Sequence, residues 1–342
     1  MRKMLNVLYV TSPDSYLSRD GENVVVKIED KAPFRMPIHN LEGIVSFGYA
    51  GASPAAMQLC AERGVSLSFL KENGQFLARV QGKVSGNVLL RRKQYRMADG
   101  PAAVDVAKRF IFAKIANSKT ILNRGVRDHA DTVNVLKIKQ EEGFLKQYMF
   151  RLLKLENLDQ VRGVEGDAAR RYFGCLNELI LVDKEAFYMR GRNRRPPLDR
   201  MNAILSFLYT LLRLEVQSAL ETVGLDPAVG FLHRDRPGRQ SLALDLMEEL
   251  RGYMVDRLAL TLINRRQLST NDFLFKENGA VLLKVEAKKE IVTAWQNRKQ
   301  EELRHPVLDE KLSIGLLPYA QALLLARHVR GDLEVYPPFL WK

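Results

Sequence analysis

The hydrophobic period of this chain changes once, and that change limits what it can fold into. Through residue 81 the apolar residues fall in short runs rich in β-branched and aromatic side chains: LNVLYV, VVVKI, GIVSFGY, VSLSFL and FLARV. Asp20-Gly21 and Asn73-Gly74 between them are hairpin-turn signals. One helix interrupts this part, with Ser53 as cap, Pro54 at the first helical position and Gly64 after AAMQLCAER. From residue 88 the apolar spacing becomes helical, as in VLLRRKQYRMA, AAVDVAKRFIFAKIANSKTILNR and TVNVLKIKQEEGFLKQYMFRLLKLEN. GKVSGN, residues 82–87, reads as a linker. The expected fold class is α+β. A β-rich domain, 1–81, serves as scaffold or dimer interface, and a larger all-α domain, 88–342, carries the chemistry. A chain of 342 residues, 46% hydrophobic, is long enough for two cores.

Charge separates the same two parts. Residues 1–85 carry 10 Lys and Arg against 8 Asp and Glu, and the remainder carries 43 against 32. A basic excess confined to the helical part is the footprint of a polyanion binder, nucleic acid first and an anionic membrane surface second. The two cysteines, Cys60 and Cys175, lie in no CxxC or CxxH spacing, which excludes a zinc ribbon and fits a reduced, cytoplasmic protein. No apolar run reaches the ~20 residues that span a bilayer. The start, MRKMLNVLYVTSPDS, lacks the small-residue cleavage site of a secretory signal and reads as a first strand. No GxSxG, Walker A or GxGxxG element is present, so Ser/His/Asp hydrolysis and nucleotide-driven mechanisms have no support.

Candidate chemistry gathers in three stretches. GFLHRDRPGRQSLALDLMEE, residues 230–249, holds His233, the arginines Arg234, Arg236 and Arg239, and then Asp245 and Glu248. The spacing predicts one long helix through LALDLMEELRGYMVDRLALTLI, with Asp245 and Glu248 on one face. An imidazole beside two carboxylates can bind a divalent metal, and adjacent arginines can hold phosphate. In GVEGDAARRYFGCLNELI, Glu165 sits between two glycines at an expected helix start, where glycines allow close approach of backbone or ligand. Arg170, later on that helix, can orient a carboxylate or phosphate. In MRGRNRRPPLDRMNAILSFLYTLLRL, Arg190, Arg192, Arg194 and Arg195 form a basic loop, and Asp199 can cap a largely apolar helix that includes Asn202 and Tyr209. Lysines and arginines of the earlier helices, Lys114 among them, read as solvated helix faces. The last helix, LSIGLLPYAQALLLARHVRG, should kink at Pro318. The tail DLEVYPPFLWK is expected to pack on the body, with room for partial disorder.

GVEGDAARRYF, RRPPLDRMNAILSFLYTLL, GLDPAVGFLHRDRPGRQSLALDLMEELR and LPYAQALLLARHVRGDLEVYPPFLW together resemble the CRISPR-associated adaptation integrase and endonuclease, most closely its type I-C variant. The resemblance spans nearly the whole chain. It implies a β-sandwich-like first domain, a homodimer paired through it, and a small ferredoxin-like partner protein. It implies that Glu165, His233, Asp245 and Glu248 hold the metal, with Glu249 the alternative last ligand, because many relatives have Asp where this chain has Glu248. Carboxylates with one imidazole suit Mg²⁺ or Mn²⁺. Such a site serves cleavage when water attacks and strand transfer when a DNA 3′-hydroxyl attacks. The expected activity is insertion of short DNA fragments into a repeat array. A structure-selective repair nuclease shares every residue named. A silent DNA-binding scaffold gains nothing from the acidic cluster.

Overall fold

The computed structural model describes residues 6–72, 74–82, 87–193 and 196–341. Asn73, linker residues 83–86, and Arg194 and Arg195 of the basic loop lie outside them. The chain falls into two compact units: Met1–Ser85 with Leu283–Thr293, and Gly86–Leu282 with Ala294–Lys342. Residues 283–293, which the sequence pattern assigns to the helical part, thus join the β-rich unit.

Among the described residues the first unit is built from β1 (Asn6–Val10), β2 (Tyr16–Asp20), β3 (Asn23–Lys27), β4 (Phe34–Pro37), β5 (Leu41–Phe47), β6 (Ser66–Leu70) and β7 (Phe76–Val80). They form a four-stranded sheet in the order β1-β5-β6-β7 and a three-stranded sheet β2-β3-β4. The expected class, β-sheets first and helices after, is what is found. YLSRD escapes the period-two signal because it is mostly polar with one buried residue, and FRMP because none of its four residues is buried. β5 and β6 pair in parallel, so the chain needs a crossover, which α1 (Pro54–Glu62) supplies. Ser53 caps α1 by accepting the Ala56 N–H at 3.1 Å. Leu17, Val24, Ile44, Leu59 and Leu67 fill the core of this unit.

The second unit is mainly helical: α2 (Val88–Ala98), α3 (Ala102–His129), α4 (Val135–Leu153), α5 (Leu158–Leu176), α6 (Lys184–Phe187) and α7 (Arg200–Thr222) come first. Then follow α8 (Ser241–Leu246), α9 (Glu248–Leu250), a π-helical stretch Arg251–Asp256, and α10 (Arg257–Asn264). A hairpin of β8 (Phe273–Phe275) and β9 (Val281–Leu283) precedes α11 (Val285–Gln300), which runs from one unit into the other. A second hairpin, β10 (Glu302–Arg304) with β11 (Lys311–Ser313), leads to α12 (Leu317–Arg330). α7 is long and apolar enough to cross a membrane by length and composition, but 67% of its apolar window is buried inside the protein, as in a core helix. Asp199 caps it through the Asn202 N–H at 2.7 Å.

Three expectations need correction. Glu165 is not at a helix start, because α5 begins a full two turns earlier, capped by Asn157. The glycines at 163 and 166 have open space where a Cβ would be, so no other part of the protein approaches them closely, and Gly166 borders the cleft. Pro318 kinks nothing, because α12 begins at Leu317 and places the proline in its first turn, where its missing N–H is not needed. The long helix expected after residue 241 is broken at Met247 and widened over 251–256.

The tail is laid down on the second unit. Tyr336 and Phe339 are fully buried. Asn117 of α3 donates to the carbonyls of Glu249 and Phe339 at 2.8 and 2.9 Å and accepts the Trp341 N–H at 2.8 Å. Asn117→Ala leaves three backbone groups unsatisfied, and the expected cost is roughly 3 kcal/mol, read by urea unfolding.

Candidate active site

The cleft of the second unit, about 570 Å³, is lined by Lys114, Glu165, Tyr209, His233, Glu248 and Arg251 among others. α3, α5 and α7 form its walls, Arg192 joins them from the loop before α7, and the loop after α7 with the broken helix after it supplies the remainder. Asp245 is absent from the lining, although it was expected as a metal ligand.

Asp245 is fully buried behind His233. Its Oδ2 accepts the N–H groups of Phe231 and Leu232 at 2.6 and 2.9 Å. Its Oδ1 accepts the His233 N–H at 3.0 Å and meets His233 Nδ1 at 2.5 Å. Gly230 lets the loop pass this close, since a Cβ there would lie 2.7 Å from Oδ2. The carboxylate only accepts, so Nδ1 carries a proton, and Nε2 is the ring nitrogen turned to the cleft. The structure therefore gives Asp245 the role of holding the imidazole rather than facing the cleft. His233 Nε2 lies 3.9 Å from Glu248 Oε1.

Glu248 is buried between two cations. Arg251 Nη1 lies 2.5 Å from its Oε1, and Lys114 Nζ lies 2.8 Å from its Oε2. Burial alone would raise this carboxyl, but the charges of Arg251, Lys114 and His233 outweigh it and bring it down to about 2. Lys114 Nζ also sits 2.5 Å from Glu165 Oε1, so one ammonium bridges the two carboxylates. It meets Glu248 Oε2 as an ion pair. As the side chains stand, no three His, Cys, Asp or Glu groups among the described residues converge as metal ligands. The donor set nonetheless fits a hard divalent ion: two carboxylates, one imidazole nitrogen, and a cation already standing between the carboxylates.

Glu249 is no rival to Glu248. It points to the tail and accepts the Tyr336 O–H at 2.6 Å, the Phe339 N–H at 2.9 Å and the Gln321 side-chain N–H at 2.9 Å. Burial pushes its carboxyl up to about 7 against these three bonds.

The supporting residues also resolve. Tyr209 donates to Asp256 Oδ1 at 2.6 Å and Tyr172 donates to Asp256 Oδ2 at 2.9 Å. Burial and the Asp256 charge push both phenols well above their ordinary value. Asn202 is a structural partner, as its Oδ1 accepts Arg192 Nη1 at 2.6 Å and its Nδ2 donates to the Gly191 carbonyl at 2.8 Å. Arg192 is accordingly a wall of the cleft, 5.1 Å from the Tyr209 ring centroid, and not a surface arginine. Arg190 and Arg236 are exposed, Arg239 is half-buried, and Arg234 is exposed with Asp159 at 2.9 Å. Arg170 pairs with Asp167 at the cleft rim. The sequence reading missed Lys114, Tyr172, Arg251 and Asp256. Lys114 carried a usable signal, since it falls in the three-and-four spacing of Ala107, Phe110, Ile111, Ser118 and Ile121, which are buried.

The family description "CRISPR associated protein Cas1" matches residues 8–297. A protein of Chlorobaculum tepidum described as CRISPR-associated endonuclease Cas1 1 is 49% identical over 343 residues, covering all of both chains. CRISPR-associated endonuclease Cas1 2 of Rhodospirillum rubrum is 50% identical over 346 residues, again covering both in full. Among solved structures, a Cas1 protein from Thermotoga maritima shares the fold with a TM-score of 0.83 at 23% identity, covering 97% of this chain and 99% of that one. A casposase bound to integration product shares it with a TM-score of 0.84 at 24% identity, covering 96% and 92%. Relatives this similar over their whole length define the class, CRISPR-associated DNA endonucleases. The chain belongs to the CRISPR associated protein Cas1 family.

Asp245→Asn puts an amide N–H₂ against donors that need an acceptor. It is expected to lower stability by about 2–4 kcal/mol in urea unfolding. Glu249 has its folded value raised above that of the unfolded chain. Its contribution is thus present below the usual carboxylate range and lost as pH rises through about 7. Glu249→Gln should flatten the fall in melting temperature that wild type shows from about pH 5 to about pH 8.

Proposed function

We propose that this chain is a divalent-metal-dependent DNA endonuclease and integrase that joins short DNA fragments to a repeat array in CRISPR adaptation. The observation that carries the reading is the cleft in which the Lys114 ammonium bridges Glu165 and Glu248, with His233 Nε2 3.9 Å from the other oxygen of Glu248. Glu165, His233 and Glu248 would hold Mg²⁺ or Mn²⁺, and Asp245 would position His233. When bound, the ion offsets charge at the scissile phosphate and polarises its oxygen. In strand transfer a DNA 3′-hydroxyl oxygen bonds to phosphorus while the bond to the leaving 3′-oxygen breaks. One phosphodiester is formed for each one lost, so no nucleotide triphosphate is consumed. Arg251 keeps Glu248 ionised for this task, and Tyr209 and Arg192 shape the wall opposite.

Backbone phosphates are assigned to Arg190, Arg194, Arg195, Arg234, Arg236 and Arg239, with double-stranded and branched DNA as substrate. Support comes from the basic excess of the helical part and the exposure of Arg190, Arg234 and Arg236. A chain in a solved Cas6-RT-Cas1–Cas2 complex shares the fold over 36% of its length with a TM-score of 0.83. We extend this to a homodimer that works with a small ferredoxin-like partner, in the cytoplasm, as in type I-C systems. The two buried free cysteines fit that compartment.

A branched-DNA assay tests this with Mn²⁺, Mg²⁺ or chelator. Glu165→Ala and His233→Ala should each lower product by roughly 100-fold or more, and chelator should abolish it. Activity that survives in chelator, or in both variants, sinks the mechanism, whereas shortened strands without rejoined product favour a repair nuclease. DNA affinity should also fall steeply with salt, with little dependence on sequence.

A further inference from the structure

Lys114 has a place in the cleft but no task in the reaction derived above. Its side chain is 11% exposed, on a long helix and within an apolar stripe, so the ammonium is placed by the fold. Burying a lysine is costly unless its charge is matched. Here the match is made by Glu165 Oε1 at 2.5 Å and Glu248 Oε2 at 2.8 Å. Those are oxygens a divalent ion between Glu165, His233 and Glu248 would need. The far side of Glu248 is already closed by Arg251 at 2.5 Å, so the carboxylate has little freedom to turn and serve both cations. An ammonium and a divalent ion in contact with the same oxygens repel each other.

We infer that Lys114 is an internal cation that holds Glu165 and Glu248 together in the metal-free protein and is displaced when metal enters. Metal affinity is then set by competition with this lysine, and the site stays organised without metal instead of springing apart. The inference rests on the reading that Glu165, His233 and Glu248 hold the metal.

The test titrates the full chain with Mn²⁺ alone, by calorimetry and thermal unfolding. Lys114→Met should bind Mn²⁺ roughly tenfold or more tightly than wild type. It should melt lower than wild type without metal, and saturating Mn²⁺ should narrow that gap. Unchanged or weaker Mn²⁺ affinity in Lys114→Met overturns the inference. A second measurement needs only wild type: acylation of Lys114 by an amine reagent, followed by peptide mass spectrometry. Labelling should rise several-fold when Mn²⁺ saturates the site, and labelling that does not rise overturns the inference even if the variant fails to fold. Glu165→Gln separates the two readings. Full Mn²⁺ affinity in Glu165→Gln removes the metal site itself. Lost affinity there, together with unchanged affinity in Lys114→Met, removes only the role of Lys114.

Discussion

Three carboxylates, Asp245, Glu248 and Glu249, lie buried within five residues of chain, and the architecture of the helical unit follows from compensating them. A buried carboxylate without partners is too costly to keep ionised. Each therefore recruits a different set. Asp245 takes three backbone N–H groups and an imidazole, which fixes the irregular loop carrying His233. Glu248 takes two cations and faces the cleft. Glu249 takes the tail, through Tyr336, Phe339 and Gln321. Loop, cleft and tail are thus arranged around one short segment.

The break in the helix makes this possible. Neighbours on a regular helix are about 100° apart, and residues three apart lie on one face. The turn at Met247 interrupts the helix between Asp245 and Glu248, and a π-helical stretch follows Leu250. π-helical widening is common where a helix carries function. Gly252 allows the widened backbone to lie against α3, where a Cβ would come within 2.9 Å of Ile121 Cδ1. The close approach sets the broken helix against α3, the helix that carries both Lys114 and Asn117. One helix thus contacts the cleft carboxylates on one turn and the tail clamp on the next.

The cleft has little freedom of charge. Glu248 stays ionised because Arg251 and Lys114 outweigh its burial. Beneath the wall, Asp256 is held by two phenols, and burial raises it against them. Pairing of this kind keeps a polar interior ordered before any ligand arrives. It also means that substrate and ion enter by exchanging partners already present.

The order of β-rich and helical parts, most element positions, and the choice of Glu165, His233 and Glu248, which the fold brings to one cleft, were legible from periodicity, turn residues and motif resemblance. These signals are local, and each is written in spacing along the chain. The division of labour among the carboxylates was not legible. Asp245 and Glu248 share a helical face by spacing, yet one supports the imidazole and the other meets the cleft, because a loop twelve residues away folds back over the first. Arg192 and Asn202 looked like surface charge and isolated core polarity until they were found bonded to each other. The role of Lys114 depends on Glu165 and Glu248, 51 and 134 residues away in sequence. The sequence by itself determined which groups were available and which helices would carry them. Only the tertiary structure decided which charges meet, because burial makes pairing obligatory and leaves the choice of partner to whatever the packing brings within reach.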